Sequence, residues 1–219
     1  HEIKRLGSAR RKKDQERLAE WQRLARTIGR MTEHERVEKL RELAQDYAWD
    51  VAGNFDPRVY KASTKILPGL VTGLLAPSTL GKLFKNPAAL TSLDALADKV
   101  SVEGPIAKLQ TLAEKGVLVF VPTHLSNMDS IVFGYALERA GLPPATYGAG
   151  KNLFTNPILS FFMHNLGAYR VDRRLRHALY KEVLKTYSCV LLEHGYHSLF
   201  FPGGTRSRSG GIERKLKLG

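Results

Sequence analysis

At 219 residues the chain can bury one good core with an accessory segment, and its 43% hydrophobic and 25% charged residues are those of a globular protein. The formal net charge of +13 calls for an anionic partner: nucleic acid, an anionic membrane surface or phosphorylated substrates. A single cysteine, Cys189, excludes an internal disulfide, and its place in the apolar-rich stretch Leu184–Leu192 predicts a buried thiol.

Residues 1–50 read as a charged, helical segment. Leu18, Trp21, Leu24, Ala25 and Ile28 fall on one stripe at helical spacing. Thr32 with Glu35 forms a capping box, after which Val37, Leu40, Leu43, Ala44 and Tyr47 continue a second stripe. The pattern predicts two amphipathic helices joined near Gly29–Thr32, docked on the rest of the chain or turned to a membrane or partner. The charged start lacks the apolar stretch of a secretory signal.

Residues 51–100 carry fewer charges and more proline and glycine, and read as an apolar connector. Leu67, Leu70, Val71, Leu74 and Leu75 lie between Lys61, Lys65, Lys82 and Lys85. That arrangement suits either a segment at an anionic lipid interface or a buried connector with solvated lysines. The most apolar part, Ile66–Pro77, is shorter than the roughly 18–20 residues of a spanning helix.

Residues 101–219 alternate strand and helix signals. Val117–Val121 reads as a buried strand, Ser130–Ala140 as a helix, and Ala145–Ala149 as a weaker strand before Lys151. Pro157–Asn165 reads as a short helix opened by proline, and Ala168–Val171 as a short strand. Leu175–Glu193 is the clearest helix, ending near Gly195, and His197–Phe201 is the next strand. The expected fold is α/β, a mostly parallel sheet flanked by helices, with an N-terminal helical segment. Ligands of such sheets bind beyond the carboxyl ends of the strands, where His124, Arg173 and the 203–208 loop all fall.

Three clusters carry chemistry. In His124-Leu-Ser-Asn-Met-Asp129 a carboxylate sits five residues after an imidazole. Asp129 can orient His124 as a general base if the turn folds back; otherwise Asp129 or Asn127 simply caps the next helix. In Phe201-Pro-Gly-Gly-Thr-Arg-Ser-Arg-Ser-Gly210, Gly203 and Gly204 allow close backbone approach, while Arg206 and Arg208 offer bidentate donors to a phosphate. Tyr169-Arg-Val-Asp-Arg-Arg174 places Arg170, Arg173 and Arg174 near a strand end with Asp172 as counter-charge, and Lys151 is a further phosphate contact. The remaining histidines show no ligand spacing, so no metal site is expected.

In this order the clusters resemble the glycerolipid acyltransferases, the family of glycerol-3-phosphate and 1-acylglycerol-3-phosphate acyltransferases. His124 and Asp129 match its His-four residues-Asp block, Gly167–Arg173 looks like its second block, and Phe201–Ser207 like its third, usually Phe-Pro-Glu-Gly-Thr-Arg-Ser. The resemblance covers roughly residues 100–210. It implies transfer of a fatty acyl group from acyl-CoA or acyl carrier protein to a hydroxyl of glycerol-3-phosphate or lysophosphatidate, with no other cofactor. His124 would be the base and Asp129 its orienter. Lys151, Arg173 and Arg206, with Gly203, Gly204, Thr205 and Ser207, would hold the acceptor phosphate. The implied setting is peripheral, on the cytoplasmic side of an anionic membrane. Gly203 stands where the family commonly has Glu, which leaves a catalytically weak or inactive lipid-binding module as an alternative. The family's fourth block is expected after the third, so the domain reads as truncated at its C-terminal side. A nucleic-acid-binding protein with Lys4–Lys13 as a basic arm is the rival from another class, but no nucleic-acid motif accompanies the charge.

Overall fold

The computed structural model describes residues 1–8, 12–63, 101–126, 129–155, 157–204, 206 and 207. The expectations for the 64–100 connector, Asn127, Thr205 and Arg208 lie outside the described residues. The chain forms two compact units. The first comprises His1–Ala52, Gly150–Asn152 and Arg170–Cys189; the second comprises Gly53–Ala149, Leu153–Tyr169 and Val190–Gly219.

The first unit is built on the expected helical hairpin. Helix α1 spans Glu2–Leu6 and α2 spans Lys12–Thr27. A 3-10 turn at Ile28–Arg30 follows, then α3 at Glu33–Val51. The capping box forms: the Thr32 hydroxyl accepts from the Glu35 N–H at 3.3 Å, and the Glu35 carboxylate accepts from the Thr32 N–H at 2.7 Å. Only part of each apolar stripe is covered. Leu18, Trp21 and Leu24 are half-buried, and Tyr47 and Val51 are buried, whereas Ile28, Val37 and Leu40 are exposed. Ile28 and Val37 adjoin the connecting turn, whereas the covered residues lie towards the base of the two helices, where Trp49 nonetheless stays exposed.

That base is aromatic. Tyr47 meets the His177 ring at 5.1 Å and Tyr180 edge-on at 5.5 Å, while Trp21 lies 6.3 Å from His177. Burial, with the nearby Glu2 charge second, pushes the Tyr47 hydroxyl up to about 12. The last helix, α7, starts at Ala178 rather than at the expected Leu175, and runs to Glu193. Residues before it are used in a turn: Leu175 N–H donates to the Asp172 carbonyl, and the His177 side chain accepts from Tyr180 N–H at 3.2 Å. Cys189 is exposed, contrary to the buried thiol expected, because it lies on the outward side of α7, opposite Tyr180 and Val183.

In the second unit a helical segment at 57–63 is followed by α4 (Ile106–Lys115), β1 (Val119–Phe120) and α5 (Asp129–Arg139). Then come β2 (Ala145–Gly150), a 3-10 turn (Lys151–Thr155), α6 (Pro157–Asn165), β3 (Ala168–Val171) and, after α7, β4 (His197–Leu199); the ends of β2 and β3 belong to the first unit. The strands form one sheet in the order β1-β4-β2-β3, with β4 parallel to both neighbours. Strand β1 is shorter and less buried than expected: Leu118 and Phe120 face a core, but Val119 and Val121 are 54% and 59% exposed. Its place at the sheet edge, with one face on α4 and α5, explains the alternation.

Leu137, Ala140 and Leu142 centre that core, joined by Ile106, Leu109, Phe120 and Phe133. A second cluster joins Ala149 and Met163 to Ala168. Gly53 is required beside it, since a Cβ there would lie 2.7 Å from the Ala168 carbonyl oxygen. Buried His197 ties the sheet together: its Nδ1 accepts from Leu118 N–H at 2.8 Å, and its carbonyl accepts from the Thr146 hydroxyl at 3.1 Å. Burial lowers the His197 pKa and keeps the ring neutral for that role.

Candidate active site

After β1 the chain leaves the sheet edge and turns back so that α5 begins at Asp129. Asp129 closes the turn itself. Its Oδ2 accepts from the backbone N–H of Leu125 at 2.6 Å and of Ser126 at 2.9 Å. The same oxygen lies 2.8 Å from His124 Nδ1. A carboxylate can only accept there, so Nδ1 carries the proton and Nε2 is left with its lone pair. Both side chains are about one-fifth exposed, open enough for a substrate and sheltered enough to strengthen the pair. Burial by itself would raise the Asp129 carboxyl, but the Ser126 amide, the His124 ring and the Leu125 amide outweigh it, and the group is held below its ordinary value.

The loop after β4 grips the same histidine. Phe201 packs its ring on the imidazole, with centroids 4.3 Å apart and planes 30° from parallel. Ser207 N–H donates to the His124 carbonyl at 2.6 Å. Between them the chain turns through Gly204, whose φ of 62° favours glycine, and Gly204 N–H donates to the Phe201 carbonyl. Gly203 is buried, and Arg206 is exposed. The structure therefore brings His124, Asp129, Gly203, Gly204, Arg206 and Ser207 into one unit around one turn. Thr205 lies outside the described residues. Phe201 is the member whose role the sequence reading passed over; the only signal was an aromatic residue opening the glycine-rich loop.

Lys151 and Arg173 belong to the first unit. Lys151 Nζ pairs with Asp50 at 2.7 and 2.5 Å, a partner about a hundred residues away that no local motif announces. Asp172 acts as counter-charge to Arg174, whose Nε and Nη2 donate to its two oxygens at 2.8 and 2.6 Å. Arg173 is exposed. Among the described residues no group of three or more His, Cys, Asp or Glu side chains is arranged to hold a metal ion, and no helix is long and apolar enough to cross a membrane.

The sequence profile of the family described as Acyltransferase matches residues 104–219, which contain the whole His124 site. A glycerol-3-phosphate acyltransferase of Aeromonas hydrophila is 31% identical over 176 residues, covering 80% of this chain and 19% of that protein. One of Xanthomonas campestris is 29% identical over 168 residues, covering 76% of this chain and 16% of that protein. One of Pseudomonas aeruginosa is 33% identical over 106 residues, covering 48% and 13%. The chain thus spans under a fifth of the length of these relatives. With the family profile matched over more than half of its length, the chain belongs to the acyltransferase family.

Proposed function

We propose that this chain carries the reaction centre of a glycerol-3-phosphate acyltransferase, with a fatty acyl thioester of coenzyme A or acyl carrier protein as donor. The observation that carries the reading is the His124 Nδ1–Asp129 contact at 2.8 Å, which leaves Nε2 free as a base. The acceptor hydroxyl gives its proton to His124 Nε2 as its oxygen attacks the thioester carbonyl carbon. The imidazolium is stabilised by the Asp129 carboxylate and the face of Phe201. Collapse of the tetrahedral intermediate breaks the C–S bond, and the proton on Nε2 passes to the leaving thiolate. The products are an ester and a free thiol. The Gly203 amide is suited to the intermediate's oxyanion, the Gly204 amide being held by the Phe201 carbonyl, and exposed Arg206 to the acceptor phosphate.

The acceptor assignment rests on the names of the similar proteins, and the anionic membrane setting, peripheral and cytoplasmic, on the basic charge and the substrate class. Lys151 and Arg173 are proposed as further phosphate contacts, with the Lys151 ammonium held by Asp50. Gly203 supports a second reading, a weak or inactive acyltransferase fold retained for lipid binding, since a buried glycine offers the acceptor no carboxylate.

The test is thiol release from palmitoyl-CoA with glycerol-3-phosphate or lysophosphatidate. Turnover with glycerol-3-phosphate is expected. Arg206→Ala should raise its KM by a factor matching about 1.5–3 kcal/mol, the worth of a charge-assisted contact. Acceptor binding without turnover would select the second reading.

A further inference from the structure

A cleft of about 310 Å³ in the first unit is lined by His1, Lys4, Arg5, Arg174 and Arg176. It draws together α1 and the segment before α7, which are about 170 residues apart in sequence. Two of its guanidinium groups are held in place from behind. Arg5 Nε lies 3.1 Å from both oxygens of Glu2, and its Nη2 donates to Oε2 at 2.6 Å. Arg174 is paired in the same way with Asp172. Both carboxylate side chains are only 6% exposed, so an incoming group meets guanidinium rather than carboxylate. The pairing uses Nε and Nη2 of each arginine and leaves each Nη1 for another acceptor. Lys4 and Arg176 are exposed in the same cleft, and among the described residues neither is paired with an acid. Asp14 acts on Arg174 only through space.

We infer that this cleft binds a phosphate group through Lys4, Arg5, Arg174 and Arg176. Two anchored forks plus two mobile cations match the oxygens of a phosphate better than they match a carboxylate or chloride. Anchoring by Glu2 and Asp172 means little side-chain entropy is lost when Arg5 and Arg174 bind. Neither the bonds to Glu2 nor those to Asp172 explain why Lys4 and Arg176 converge on the same space against their mutual repulsion. A phosphate explains it. The inference does not depend on the reaction at His124.

The experiment is calorimetric titration of inorganic phosphate into the whole chain bearing Arg206→Ala, which removes one of the acceptor contacts proposed above. Saturable binding should persist in that protein. Adding Lys4→Met with Arg176→Gln should weaken it at least about tenfold per contact removed, while Lys4→Arg should retain it. Unchanged thermal melting will show that the exposed substitutions leave the fold intact. A second arm uses phosphatidylcholine vesicles with and without phosphatidate at fixed ionic strength. Phosphatidate-dependent binding lost with Lys4→Met/Arg176→Gln assigns a lipid headgroup, and phosphate binding without vesicle binding assigns a soluble phosphate. Absence of saturable phosphate binding, or the same affinity with and without Lys4 and Arg176, would overturn the inference.

Discussion

Replacing Asp129 with Asn separates charge from shape at the site. The carboxylate oxygen accepts three hydrogen bonds, from His124 Nδ1, Leu125 N–H and Ser126 N–H. An amide oxygen at the same place can still accept, but it turns charge-assisted bonds, worth about 1.5–3 kcal/mol each, into neutral ones worth about 0.5–1.5 kcal/mol. At about 1–1.5 kcal/mol per bond the three together lose at most about 3–4.5 kcal/mol, which partial exposure of the pair reduces to roughly 1.5–2 kcal/mol. A fall in melting temperature of roughly 3–8 °C follows for a chain of this size. The catalytic effect is larger in proportion. The imidazolium formed at His124 loses its counter-charge, and the amide NH2 group can bind Nδ1 and favour the wrong tautomer. General-base catalysis is worth about 10²–10⁴ in rate, so kcat for thiol release should fall within that range while the KM for glycerol-3-phosphate stays within about twofold. A kcat for Asp129→Asn within about threefold of the parent value would refute the assigned role of the pair.

Other outcomes follow from the same structure. Phe201→Leu keeps an apolar side chain but removes the aromatic face on His124, and should lower kcat about three- to tenfold with little change in KM, while Phe201→Tyr retains the face and the rate; stopped-time assays of the parent and both variants check this. His177 and His197 both have their pKa lowered by burial and both accept backbone N–H groups. Their contribution to stability is therefore complete above the unfolded value near 6.5 and is lost as pH falls below it, so urea melts should weaken from pH 7 to pH 5, and His197→Gln should flatten that slope. Asp129 and Asp172 are held below the ordinary carboxylate value against the opposing effect of burial. Their stabilisation is full above about pH 4 and is lost at lower pH, which should appear as a second, acidic decline. Leu6, 1% exposed, anchors α1, and Leu6→Ala should cost about 2–5 kcal/mol by thermal melting.

Much of the architecture was legible because it rests on local signals. Thr32 and Glu35 announced the start of α3, Pro157 opened α6, and the runs 145–150 and 168–171 form strands where alternation with helices required them. The His124–Asp129 contact was legible as spacing, since a five-residue turn brings the two together once Asp129 also binds Leu125 and Ser126. What failed depended on distant partners. Nothing near Lys151 predicts Asp50, and nothing near Val119 says that β1 lies at the edge of the sheet. Cys189 was misjudged because an apolar stretch on a helix shows which residues are hydrophobic before it shows which way they face. Lys4 and Arg5 read as part of the Lys4–Lys13 basic arm of a nucleic-acid-binding rival, and only the fold sets them against Arg174 and Arg176.

The most direct test of the central claim is to identify the products formed from palmitoyl-CoA and glycerol-3-phosphate by the parent chain and by His124→Ala. The account predicts equimolar thiol and acylglycerol phosphate from the parent, and a rate at least about a hundredfold lower from the variant with an unchanged circular-dichroism spectrum. Product formation at the parent rate by folded His124→Ala would contradict it.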